Sequence, residues 1–188
     1  TVAPDGEAAA VPGDYRAAGV LFFTRDAQTG DVTDVLLGVE ERKVSRSELG
    51  DSSGGSVRRK LLLFPQGKRE DEDGDFLDTA RREFIEETGN FGGLAEFMGK
   101  EEVAWVQFAK MAVIFCEVPL EAFVASRSVA AEGSDLPLQA VWVDAMALRL
   151  ALAAGPGAEL QTELGRLALF PVTRRILKTA YAARWLGL

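Results

Sequence analysis

The sequence contains no histidine. That absence removes Ser-His-Asp and Cys-His catalysis, imidazole metal ligands and histidine general bases, and leaves carboxylates to carry any acid-base or metal chemistry. There is one cysteine, Cys116, inside an apolar run, so no disulfide can form within the chain. The expected setting is a reducing intracellular compartment, cytoplasm or an organelle such as the mitochondrion, with Cys116 as a small core residue. Long apolar runs are also lacking: Met111 to Cys116 and Leu61 to Phe64 fall far short of the ~20 residues of a membrane helix, and no membrane partner is expected. No signal or transit peptide is legible at the N-terminus, and a start at Thr1 suggests a trimmed chain. Basic charge is in deficit, with 21 Lys+Arg against 29 Asp+Glu and a formal net charge of −8. This argues against non-specific attraction to nucleic acid or an anionic membrane, and a small anionic substrate would need a local metal or basic patch to overcome the field.

What is present points to one globular domain. A chain of 188 residues with 47% hydrophobic content can bury one good core but is short for two. Residues 1–14, rich in Ala, Pro and Gly, read as a flexible leader, and residues 15–188 as a single domain. Strands are expected at Ala17 to Thr24, Val32 to Val39, Lys60 to Phe64, Val103 to Phe108, Met111 to Val118 and Leu138 to Val143. Between the second and third of these, residues 41–59 contain Ser-Glu-Leu-Gly-Asp-Ser-Ser-Gly-Gly-Ser and read as a mobile loop. Phe76, Leu77, Ala80 and Phe84 recur at helical spacing from Asp75, with Gly89 or Asn90 as the stop. Shorter helices are expected at Leu120 to Ser126, Ala145 to Ala153 and Val172 to Leu186, the last started by Pro171. Strands and helices alternate without a regular βαβ repeat, so the expected fold class is α+β, a mixed sheet flanked by helices. Trp105, Trp142 and Trp185 sit in apolar segments and are expected in the core.

The chemistry concentrates on the first helix. Glu83, Glu86 and Glu87 stand at i, i+3 and i+4 and so share one face. Like charges at this spacing destabilise an isolated helix by roughly 0.2–0.5 kcal/mol per pair, a penalty that a hard cation such as Mg²⁺ reverses by supplying several oxygen-ligand sites. Arg82 lies four residues before Glu86 and can pair with it, while Phe84 faces the core. Upstream come the strand Leu61-Leu62-Leu63-Phe64, the turn Pro65-Gln66-Gly67-Lys68 and an acidic loop of Glu70, Asp71, Glu72, Asp73 and Asp75.

Strand, glycine turn, acidic loop and glutamate helix together resemble the signature of the Nudix hydrolase family, a glycine and a loop acid followed by Arg-Glu-apolar-x-Glu-Glu-x-Gly. Here the tail is Arg82-Glu83-Phe84-Ile85-Glu86-Glu87-Thr88-Gly89, matched at each of those positions. Two features depart from the pattern. Asn90 stands where an apolar residue is usual, and the step from Gly67 to Arg82 is one residue longer than the family spacing, so counting forward puts the loop acid at Asp73 and counting back lands on Gly74.

The resemblance implies an α/β/α sandwich and hydrolysis of a nucleoside diphosphate linked to another moiety. By carry-over, Glu83, Glu86 and Glu87 with the Gly67 carbonyl would bind Mg²⁺ or Mn²⁺, and Arg82 would orient them. The base would be Glu86, Glu87 or a loop residue such as Glu132. A small phosphorylated substrate is the expected partner, with Lys68 and Arg69 as candidate contacts. Marks of other subfamilies are missing: the tyrosines are Tyr15 and Tyr181, and the first proline past the motif is Pro119, which match neither diadenosine polyphosphate hydrolases nor ADP-ribose hydrolases. Phe64-Pro65-Gln66-Gly67 is similar to bacterial RNA 5′-pyrophosphohydrolases, and Phe-Pro-x-Gly-Lys to mRNA-decapping members. RNA therefore stands as the alternative substrate, with Arg58-Arg59-Lys60 and Lys68-Arg69 as its basic patch. A catalytically silent Nudix binding module is a third reading, and loss of the helix glutamates, all of which are present, would have favoured it.

Overall fold

Strand β1 (Ala17–Arg25) shows how the chain is layered, because its alternate residues are buried on opposite faces. Val20 and Phe22 enter one core, Leu21 and Phe23 the other, as the two-residue period of a strand requires. The computed structural model describes residues 11–100, 102–129, 136–179, 182, 184, 186 and 187.

The remaining elements are β2 (Val32–Ser45), β3 (Ser56–Leu63), β4 (Gln66–Lys68), α1 (Phe76–Thr88), β5 (Val103–Val106), β6 (Met111–Glu117), α2 (Leu120–Arg127), β7 (Gln139–Asp144), α3 (Ala145–Ala154), β8 (Glu159–Thr162), β9 (Gly165–Leu169) and α4 (Pro171–Leu177). Among the described residues the nine strands form one mixed sheet in the order β5-β6-β1-β2-β3-β9-β8, with β4 joined to β1 and β7 to β2. The pairs β1/β6 and β3/β9 are parallel and the others antiparallel.

Helices cover both faces. Ala80 and Phe84 of α1 and Phe123 of α2 pack with Phe22 and Trp142, whereas Leu148 and Leu152 of α3 and Ile176 and Leu177 of α4 pack with Leu21, Phe23 and Val141. The fold is α+β, a mixed sheet flanked by helices. Cys116 and Trp142 are buried and Trp105 packs against the α1-side core, while Trp185 lies outside the described residues.

Several expectations need correction. Residues 41–59 are not loop throughout, because β2 and β3 extend into them as an antiparallel ladder from Gly38↔Leu63 to Ser45↔Ser56. The polar composition that suggested a loop instead suits a two-stranded projection whose outer residues meet water, with Val44 and Val57 held in a small apolar cluster with Leu61. The tip is tied by Arg46 to Asp51 at 3.0 Å. The hairpin β8–β9 went unread, its strands being only 4 and 5 residues long, too short for periodicity to register. The last helix ends at Leu177 rather than continuing unbroken, with a turn at Lys178 before the helical residues 182, 184 and 186. Of the expected leader, residues 1–10 lie outside the described part, and Val11 packs against the α1-side core.

Candidate functional site

Helix α1 is fixed at both ends by local chemistry. Asp75 is the N-cap and accepts from the amides of Leu77 at 2.9 Å and Asp78 at 3.1 Å. Gly89 closes the helix in the left-handed region at φ 65°, its amide donating to the Ile85 carbonyl. Phe84 is fully buried and meets Phe22 edge-on at 4.9 Å. Anchoring that side sets the rotation of the helix, so Arg82, Glu83, Glu86 and Glu87 are presented on its other sides toward β4 and solvent.

Strand β4 lies directly against this surface. A Cβ built on Gly67 would stand 1.9 Å from the Glu83 carboxyl carbon, so only glycine lets the strand and the carboxylate share the space. One residue earlier, the Gln66 amide donates to Glu87 Oε2 at 3.0 Å. The segment Phe64-Pro65-Gln66-Gly67 and the glutamate helix are therefore one unit, held on β1 by the pairing of Ala18 with Gly67.

Arg82 organises the acids. Its Nε and Nη2 donate to the two oxygens of Asp73 at 3.1 and 3.0 Å, and Nη2 also reaches the Lys68 carbonyl at 2.8 Å. Its Nη1 donates to Glu83 at 2.9 Å and to Glu86 at 3.1 Å. A fork-to-carboxylate pair of this kind is among the strong polar contacts in proteins. Asp73 is buried and accepts further bonds from the Glu70 amide and the Thr79 hydroxyl, both at 2.9 Å, and Tyr15 meets Thr79 at 2.9 Å. The Arg82 guanidinium, aided by the Glu70 amide and the Thr79 hydroxyl, holds the Asp73 carboxyl well below the usual carboxylate range, against the opposing effect of burial. The same pairing raises Arg82 above its already high value.

This settles the count along the loop: the acid that meets the arginine is Asp73. Gly67 to Asp73 therefore keeps the expected spacing, and the extra residue falls between Asp73 and Arg82, on the way into α1.

The three glutamates have different environments. Burial pushes Glu87 up to about 7 despite its bond from Gln66, and the nearby charges of Glu83 and Glu40 act in the same direction. Burial also raises Glu83, opposed by Arg82. Glu86 is exposed. Lys68 is exposed too, and its carbonyl serves Arg82. Arg69 is turned toward the N-terminal segment, donating to the Gly13 carbonyl at 2.9 Å and lying over the Tyr15 ring at 4.7 Å. Glu132 lies outside the described residues.

Sequence reasoning missed Tyr15, Thr79, Glu40 and Arg42 as neighbours of the site. Only the cap at Asp75 and the loop acids carried a signal: Tyr15, Glu40 and Arg42 are distant in sequence, and Thr79, on α1 itself, has a common side chain that marks no role until Asp73 and Tyr15 meet it.

The donors gathered here are all oxygen, a set that suits hard divalent cations. A half-buried Glu87 with its carboxyl pushed up to about 7 beside Glu83 is likewise an arrangement that a bound cation would relieve. As the side chains stand, Arg82 takes one oxygen each of Glu83 and Glu86, Gln66 takes one of Glu87, and among the described residues no three acidic groups are arranged to hold a single ion.

No family model matches the chain, and no curated protein matches it. Solved structures similar to it include a mutT/nudix family protein from Listeria innocua, at 14% identity and a TM-score of 0.42, over 89% of this chain and 92% of that one. They also include the MERS1–RNA complex of T. brucei, at 14% identity and a TM-score of 0.43, over 76% of this chain. The match spans 55% of the T. brucei chain.

Proposed function

We propose that the protein is a divalent-metal-dependent hydrolase of a diphosphate linkage in a nucleotide or nucleotide-like compound. The observation that carries this reading is the interlock of Gly67 with Glu83, together with the Asp73–Arg82 clamp that steadies Glu83 and Glu86 beside Glu87. An ordinary solvated acidic face has no need of a glycine shaped to it or of an arginine clamped to a buried aspartate.

Glu83, Glu86 and Glu87 with the Gly67 backbone would hold Mg²⁺ or Mn²⁺, which when bound neutralises phosphate charge and acidifies water. The chain's own residues divide the remaining work. Arg82 holds Glu83 and Glu86 in place. Gln66 fixes Glu87 Oε2 and leaves Oε1 to accept a proton from the attacking water.

The test is product release from a panel of nucleoside triphosphates, dinucleoside polyphosphates, nucleotide sugars, diphosphoinositols and 5′-triphosphate or capped RNA, with Mg²⁺ or Mn²⁺. A Glu86→Gln, Glu87→Gln variant is the control. Turnover lost in the control supports the hydrolase and identifies the substrate class. Metal and nucleotide binding with no turnover anywhere in the panel overturns it in favour of a binding module.

A further inference from the structure

Arg42 and Arg59 are direct cross-strand partners on the β2–β3 hairpin. Like charges placed directly opposite destabilise a strand pair, a cost that the ion pairs of the two arginines offset only in part. Each guanidinium is held by one carboxylate, Arg42 by Glu40 and Arg59 by Glu159, both at 2.7 Å. These are solvent-accessible pairs that contribute little to stability, and a guanidinium with five donors retains several for another acceptor.

The direction of the pair follows from strand alternation. Leu36 belongs to the core beneath α1, and the same face of β2 continues through Glu40 to Arg42. Independently, the charges of Glu40 and Arg42 act on the Glu87 carboxylate. Arg58, one residue from Arg59 and exposed, pairs with Lys43 on the opposite face. In a chain of net charge −8, two arginines whose charge is balanced by Glu40 and Glu159, beside an acidic helix, offer spare guanidinium donors at the place where a polyanion would lie.

We propose that Arg42 and Arg59 form an anion subsite holding a phosphate beyond the scissile diphosphate, so that the preferred substrate carries a triphosphate or longer chain. This rests on the hydrolase reading of the glutamate helix. Opposed side chains about 5 Å apart at Cβ can grip one phosphate from two sides.

The experiment is calorimetric titration of inorganic tripolyphosphate and pyrophosphate, with Mg²⁺, into the wild type and the variants Arg42→Gln, Arg59→Gln and Arg58→Gln. The expected result is tighter binding of tripolyphosphate than of pyrophosphate by the wild type. Tripolyphosphate should weaken about tenfold in Arg42→Gln and Arg59→Gln, as for loss of one charge-assisted bond, with wild-type affinity in Arg58→Gln. Arg42→Lys should recover part of the loss and guards against a folding defect in Arg42→Gln. Equal weakening in all three glutamine variants would reduce the effect to general charge and overturn the subsite, as would equal affinity for the two phosphates in the wild type. Hydrolysis of the panel with no effect of Arg42 removes the subsite alone, whereas specific tripolyphosphate binding without turnover removes the hydrolase and leaves the subsite standing. Competition by a nucleoside triphosphate and by a 5′-triphosphate oligoribonucleotide then separates the two sources of that chemistry.

Discussion

Gly67 and Glu83 occupy complementary space: the carboxyl carbon of one stands 1.9 Å from where a Cβ of the other would be. Gly67→Ala must displace either β4 or the Glu83 side chain. Misplacement of a reacting group by about 1 Å costs on the order of 100-fold in rate, so turnover should drop by at least that factor while far-UV circular dichroism stays that of the wild type. Undiminished activity would show that Glu83 has no fixed role.

The Asp73–Arg82 pair makes an acid-sensitive contribution to stability. A carboxyl held below its unfolded value stabilises the fold above about pH 4 and loses that contribution as pH falls through the folded value. Asp73→Asn should lower Tm at pH 7 by several degrees, at about 2–4 °C per kcal/mol for a chain of this size. The gap should narrow below pH 4. A gap independent of pH would mean that packing, not charge, is what the substitution disturbs.

Glu87 should behave in the opposite sense. Its folded value of about 7 exceeds the unfolded ~4.3, so the protonated acid favours the fold at low pH and that advantage is lost as pH rises toward and through 7. In the absence of divalent ions, Glu87→Gln should be more stable than the wild type above pH 7, with the difference vanishing near pH 4. Activity should move the other way: the wild-type rate should climb with pH as Glu87 deprotonates, at a value that bound Mg²⁺ draws below 7, and the glutamine variant should lose at least about 100-fold. Thermal melts and a pH–rate profile on the two proteins check both halves.

Phe84 carries the helix. It is fully buried against Phe22, and Phe84→Ala should destabilise by about 3–5 kcal/mol, measured by urea unfolding. A loss below 1 kcal/mol would mean that α1 is held chiefly by its caps and Arg82.

How much of this could be read from the residues follows from the range of each interaction. Helix α1 was legible to within a residue because its cap, its apolar spacing and its glycine stop are local. The grouping of Glu83, Glu86 and Glu87 on exposed turns of that helix follows from the same periodicity. The partner of Arg82 was left between two loop positions, since a count cannot tell on which side of the acid an extra residue lies, and only the bonds from Arg82 to Asp73 show it. Arg42 stayed invisible because β2 was read as ending at Val39. Its ladder continues on charged pairs, which by composition resemble loop.

The two central strands take their partners from far along the chain: β1 pairs in parallel with β6, and β2 with β7. A nascent chain that has emerged only as far as Gly89 already contains every residue of the glutamate motif, yet one edge of β1 and one edge of β2 are still open. Such edges invite wrong pairing, and closing large loops slows correct docking. Synthesis must therefore pass Asp144 before the surface beneath α1 is complete, and until then the motif sits on strands with one edge bare.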